Sequence, residues 1–118
     1  MKSKYFVPFE TAKALKEKGY PQESDYMYCD GERHWRHLTL YQMNKINAVA
    51  SPTYHEVVDW LYEKKICITC HPAYSYEGQY NGFQYEMQTY DKDDYHDDIY
   101  RTREEALNSA IISALEML

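Results

Sequence analysis

Positive charge is in short supply, and that shortage excludes more than any motif establishes. Thirteen Lys and Arg stand against nineteen Asp and Glu, a formal net charge of −6. Non-specific phosphate binding needs clustered basic residues, so this balance argues against a general nucleic-acid binder. Long apolar runs are lacking too, and none approaches the ~20 residues of a membrane span. The opening Met1-Lys2-Ser3-Lys4-Tyr5-Phe6-Val7-Pro8 has basic residues but not the apolar core of a signal peptide. Cysteine is sparse and odd in number, three in all. A secreted chain would be left with a spare thiol, so reduced cysteines in a cytoplasmic protein are the simpler expectation. There is no Gly-rich phosphate loop, and no Ser or Cys nucleophile in a recognisable setting. The chain is therefore expected to be no enzyme and to need no cofactor.

At 118 residues the chain is expected to form one domain over 1–118, large enough to bury a core without staples. Hydrophobic residues make up 44%, which argues against disorder. Aromatics reach 16%, with 14 Tyr among them. Tyr packs its ring while keeping a wet hydroxyl, which suits half-buried sheet faces and recognition surfaces alike.

The most organised stretch runs from Pro52 to Lys65. Thr53 and Glu56 stand at capping-box spacing, and Tyr54, Val57, Val58 and Leu61 form one apolar stripe. A shorter helix is predicted from Pro8 to Lys18, with Phe9, Ala12 and Leu15 on one face and Gly19 closing it. Thr102 and Glu105 form a second capping box, ahead of a stripe of Leu107, Ala110, Ile111, Ala114, Leu115 and Leu118. Between the helices, Tyr26–Tyr41 reads as a hairpin turning at Asp30-Gly31, and 42–51 as a loop. Ile66, Ile68 and Cys70 alternate with Cys67, Thr69 and His71, a strand that Pro72 weakens. Glu77–Gly82 reads as a hairpin loop and Phe83–Tyr90 as a strand, with 91–98 an acidic loop and Ile99-Tyr100-Arg101 closing the sheet edge. The predicted order is α-β-β-α-β-β-α, an α+β fold with three helices on one four-stranded, mostly antiparallel sheet. The two α-β-β runs have the look of a weak internal duplication.

Three groups of residues could carry chemistry. Cys67-Ile68-Thr69-Cys70-His71 matches the C-x-x-C-H haem-attachment pattern. On a strand, however, residues three apart point to opposite faces, so Cys67 and Cys70 cannot both reach one ring. Zinc needs four ligands on one centre. Cys67 and His71 share a face and are the metal candidates, with Cys29, His34 or His37 as possible further ligands, although the spacing fits no standard zinc site. The plain alternative makes Cys70 a small core residue. Asp91, Asp93, Asp94, Asp97 and Asp98 invite a calcium loop, but the EF-hand spacing fails at Tyr95, His96 and Thr102, and a solvated loop is favoured. His34-Trp35-Arg36-His37 mixes cation and aromatic and could stack a base. A strand whose Trp35 packs inward is the more usual arrangement.

Three phrases carry a resemblance: Val7-Pro8-Phe9-Glu10-Thr11-Ala12-Lys13-Ala14-Leu15-Lys16-Glu17-Lys18-Gly19, Ser51-Pro52-Thr53-Tyr54 through Val58-Asp59-Trp60-Leu61, and Tyr100-Arg101-Thr102-Arg103-Glu104-Glu105-Ala106-Leu107. Through them the chain resembles a family of small uncharacterised proteins carried by Bacteroides-type gut bacteria, their prophages and mobile elements. The resemblance implies context only, an accessory or host-interaction factor of a mobile element. It brings no activity, cofactor or site residue.

The leading expectation is a non-enzymatic interaction module that binds a protein partner or itself as a homodimer. Trp60 and Ile112 are candidate contact residues, since they are apolar or aromatic yet fall off the main helix stripes, and Tyr90 joins them because it would lie on the second face of an open sheet. Two alternatives stand beside it. One is a nucleic-acid-associated accessory protein, through Arg33–His37 or as an acidic mimic of DNA. The other is a metal-binding protein using Cys67 and His71.

Overall fold

The computed structural model of the chain describes residues 3–22, 25–29, 32–35, 48–89, 92–95 and 98–118. They fall into two compact units, Met1–Thr53 and Tyr54–Leu118. The fold class is α+β, with three α-helices among the described residues. None of these helices is long and apolar enough to cross a membrane.

In the first unit, a 3-10 turn at Ser3–Tyr5 precedes α1 (Phe9–Glu17). Pro8 caps α1 in an extended conformation, where its missing N–H costs nothing, and Thr11, Ala12 and Leu15 are buried. The helix ends in a Schellman arrangement: Tyr20 N–H donates to the Leu15 carbonyl at 3.0 Å and Gly19 N–H to that of Lys16 at 3.1 Å. Gly19 takes the left-handed φ of +91° that this ending requires.

Strands β1 (Tyr26–Cys29), β2 (Glu32–Trp35) and β3 (Val49–Ala50) follow, with β1 central and antiparallel to both neighbours. Arg33 ties this unit together. Its Nε donates to Ser51 Oγ at 2.8 Å and its Nη2 to the Tyr28 hydroxyl at 3.0 Å, and that hydroxyl donates to the Val7 carbonyl at 2.7 Å. The guanidinium also lies 4.2 Å from the centre of the Phe6 ring and 5.3 Å from that of Tyr28. A cation is tolerable among aromatic rings when its donors are met in this way.

The second unit comprises α2 (Tyr54–Glu63), β4 (Cys67–Tyr74), β5 (Tyr80–Thr89), β6 (Lys92–Tyr95) and α3 (Arg103–Glu116). The strands are antiparallel in the order β4-β5-β6. Helix α3 lies against β4 and β5, and α2 against β4 and α3. Tyr54, Val57 and Leu61 of α2 are buried, as are Ile68, Tyr85 and Met87 of the sheet. Thr102 caps α3 by accepting from Glu105 N–H at 3.1 Å, as its capping-box spacing predicts. The Glu105 carboxylate reaches back to Arg101 N–H at 3.3 Å, one residue beyond the usual partner. The α3 stripe is recentred. Ala106 joins Ala110, Ile111, Ala114 and Leu115 in the core, while Leu107 is half-buried and Leu118 exposed.

Among the described residues, two three-stranded sheets stand in place of the single four-stranded sheet expected from the residue pattern. Each expected hairpin gains a third strand from a stretch that reads as loop. Val49–Ala50 is too short for any period to show. Lys92–Tyr95 is charged, which an edge strand accommodates readily. The expected hairpin at Tyr26–Tyr41 is present over Tyr26–Trp35, and its turn at Asp30-Gly31 and its continuation past Trp35 lie outside the described residues. Pro72 does not end β4, because among the described residues β4 is an edge strand paired on one side only. The loop expected at Glu77–Gly82 is shorter, with β5 starting at Tyr80.

Gly82 is fixed by two demands. Its φ is +135°, and a Cβ there would press on the Tyr100 carbonyl oxygen and lie 2.8 Å from Ile99 Cγ2. The close approach lets Phe83 and Tyr100 exchange two backbone hydrogen bonds of 2.8 Å, closing the β5 edge where β6 does not reach. Helix α2 ends in the same Schellman pattern as α1, but with Lys65 at the left-handed position, φ +69°. Gly82→Ala is expected to lower unfolding free energy by about 1–3 kcal/mol. Lys65→Gly is expected to raise it by about 1 kcal/mol, since a β-carbon is disfavoured at that φ. Urea denaturation of both variants checks the pair.

Candidate functional site

The most unusual surface lies at the end of the β4–β5 hairpin. Tyr74 closes β4 and Tyr80 opens β5, opposite one another after a register shift between Ala73 and Tyr74. A tight turn joins them: Ser75 N–H donates to the Gln79 carbonyl at 2.7 Å and Gly78 N–H to the Ser75 carbonyl at 2.9 Å. Gly78 supplies the left-handed φ of +80° at the turn. The Tyr74 and Tyr80 rings meet edge-to-face at 6.3 Å between centroids, and Tyr80 meets Phe83 the same way at 5.8 Å. Such geometry suits the ring quadrupoles, so the row is held by its own members. Tyr74, Tyr76 and Tyr80 are all exposed, Tyr76 completely. Ile99, also exposed, lies beside Gly82.

The contact residues expected from sequence fall elsewhere. Ile112 is exposed on α3, and Met117 and Leu118 at the same helix end are exposed too. Trp60 on α2 is half-buried, with the Lys64 ammonium 5.2 Å from its ring centre. Tyr90 lies outside the described residues. None of Tyr74, Tyr76 and Tyr80 stands out in the residue pattern, which puts Tyr80 inside the expected loop Glu77–Gly82. Their convergence depends on the register shift, which no period in the sequence reveals.

The C-x-x-C-H residues do not converge. Cys70 points to the helix side, its Sγ 3.9 Å from the Arg103 carbonyl. Burial pushes its thiol pKa up; the Arg103 charge lowers it in part and Glu104 adds to the rise. The fold therefore favours the protonated thiol. The stability this contributes is fully present below the ordinary thiol pKa and is lost as pH rises from there through the raised value of the folded state. Cys67 faces the other way, into a hollow of about 260 Å³ lined also by Tyr62, Lys65, Gln88 and Thr89. His71 shares a sheet face with Cys67, but four residues of strand separate them by ~13 Å. Ligands of one zinc ion sit ~2.0–2.3 Å from it, so the two cannot share an ion on an intact β4. The Cys29 and His34 side chains and all of His37 lie outside the described residues, as do Asp91 and Asp97. Among the described residues no group of three His, Cys, Asp or Glu is placed to hold a metal. Of the basic residues considered for nucleic acid, Arg33 is held within the first unit and Arg36 lies outside the described residues.

Zinc supplied in excess and then removed by gel filtration is expected to leave well under one equivalent per chain by elemental analysis. One equivalent, lost both in Cys67→Ser and in His71→Ala, would show that β4 opens to bring Cys67 and His71 together.

No protein-family model, no curated protein and no solved structure matches this chain.

Proposed function

We propose that the protein is a non-enzymatic interaction module that binds a protein partner through the aromatic end of the β4–β5 hairpin. The row Tyr74–Tyr80–Phe83, with Tyr76 fully exposed at the turn, carries this reading. Solvent-facing aromatic rings lose apolar hydration when covered, while Tyr hydroxyls keep them tolerable when bare. Aromatic residues are enriched at interfaces and supply contact area at low side-chain entropy cost. The row is already ordered by its own ring contacts, so little further ordering opposes binding. The resemblance to mobile-element proteins of Bacteroides-type bacteria makes an accessory or host-interaction role in the cytoplasm the expected setting.

Affinity purification from such a host, with wild type beside Tyr74→Ser/Tyr80→Ser, tests this. A protein that co-purifies with wild type, is lost from the double variant, and rebinds in purified form with a Kd weakened at least ~tenfold by the variant supports the reading. Equal binding by both proteins contradicts it.

A further inference from the structure

We propose that two copies of this chain pair through the open edge of β4, antiparallel and two-fold about Thr69, merging their β4-β5-β6 sheets into one. The inference concerns the strand edge and stands apart from the aromatic row.

The hydrogen bonds of Phe83 show which way β4 presents its backbone. Phe83 gives both its N–H and its carbonyl to Tyr100, on the side of β5 away from β4. Its opposite number on β4, Pro72, therefore stands in a pair without mutual bonds and turns its backbone outward. The register is unbroken from Cys67 to Ala73, so Cys70 and Ile68 turn outward as well. The outer edge thus offers the N–H and carbonyl of Ile68 and of Cys70, and at Pro72 a carbonyl alone. Among the described residues no strand pairs with this side, and no other group bonds these N–H donors. Edge strands are usually blunted by charge, yet none of the residues Cys67–Tyr74 is Lys, Arg, Asp or Glu. Pro72 and the register shift after Ala73 blunt one end only, which leaves Cys67–His71 for another strand.

Open donors alternating with open acceptors specify an extended backbone as the occupant. Self-complementarity and charge select a second copy. Turned about Thr69, Ile68 of one copy meets Cys70 of the other, and each such pair exchanges both its bonds. The next pair sets Pro72 against Ile66. Pro72 has no N–H to give, and Ile66 N–H already donates to the Leu61 carbonyl at 2.9 Å, so the ladder ends there with no donor stranded. Thr69 faces Thr69, a favourable cross-strand pair, and Cys67 faces His71. A facing Cys67 and His71 supply two of the four ligands a zinc ion needs, so the expectation that zinc is not retained is unchanged. Acidic β6, with Asp93 and Asp94, lies at the opposite edge of the sheet. In the merged order β6-β5-β4-β4-β5-β6 the two β6 strands stand ~24 Å apart, beyond the ~8–10 Å over which charges act at ordinary salt. Pairing through β6 would instead set like charges side by side.

Light scattering across micromolar concentrations tests this on wild type, Thr69→Lys, Thr69→Asp and an equimolar mixture of the two variants, each first shown by circular dichroism to be folded. Thr69 is exposed and its backbone pairs with Glu86, so these changes leave the β5 ladder alone. Wild type is expected to approach twice the 14.2 kDa of one chain. Each variant sets like charges face to face and is expected to stay monomeric where wild type is dimeric. The mixture sets opposite charges together and is expected to recover the dimer. A second readout fixes the register and needs neither Thr69 variant. Facing residues of a pair without mutual bonds have Cα atoms ~4.5 Å apart, within the ~4.4–6.8 Å of a disulfide. In His71→Cys, air oxidation is expected to take two electrons and two protons from the introduced thiol and Cys67 of the second copy, giving a disulfide-linked dimer on a non-reducing gel. Within one chain the ~13 Å between these positions forbids that bond. Cys67→Ser/His71→Cys is expected to give no such dimer. A wild type that stays monomeric throughout, or a dimer that survives both Thr69 variants, would overturn the proposal. A dimer lost in both variants but not regained in the mixture, or a His71→Cys dimer indifferent to Cys67, would overturn the pairing about Thr69.

Discussion

The close approach of Tyr100 to Gly82 is the constraint on which the second sheet depends. Two backbone hydrogen bonds between Phe83 and Tyr100 require the chains to come nearer than any side chain at position 82 permits. That contact closes the β5 edge beyond β6 and anchors the segment leading to the Thr102 cap, from which α3 departs across the sheet. It also fixes the rim of the hairpin. Phe83, third ring of the aromatic row, is hydrogen-bonded at this point, and Ile99 is set beside it. The aromatic row and the packing of α3 thus share one anchor.

Residues with strong chemical associations are used here for architecture. Arg33 stands beside the aromatic and histidine run that could contact a base, yet its donors go to Ser51 and Tyr28 and its guanidinium carbon lies over the Phe6 ring. Cys67, Cys70 and His71 match a haem-attachment pattern, yet β4 sends the two thiols to opposite sides. In both cases backbone geometry decides what the side chains can do. A spacing motif carries its meaning only on the element it presumes, and C-x-x-C-H does not presume a strand.

The helices were legible because their signals are local. Pro8, Gly19, Thr102 and Glu105 act within one turn of themselves, and a stripe such as Tyr54, Val57 and Leu61 needs only its own periodicity. Even the errors there were small, such as Leu118 exchanged for Ala106. The sheets were legible only by halves. Val49–Ala50 becomes a strand because Met27 and Tyr28 lie beside it, and Lys92–Tyr95 because Glu86–Thr89 does. Neither has an apolar alternation of its own. The candidate site suffered most. Trp60 and Ile112 could be judged against helix stripes, whereas the Tyr74–Tyr80 pairing needs a register shift and a tight turn that act between strands. Gly82 marked a special position, but its partner lies 18 residues further on.

The proposed binding at the hairpin end rests on a row of rings held in place by the strand pairing beneath it and by the Tyr100 anchor beside it. Proton NMR of the free protein reads that arrangement directly. The account predicts nuclear Overhauser contacts from the Gly82 α-protons to the Ile99 methyls, together with ring-to-ring contacts along Tyr74, Tyr80 and Phe83. Their absence from a folded sample, with Phe83 and Tyr100 amides exchanging as fast as those of an open loop, would contradict it.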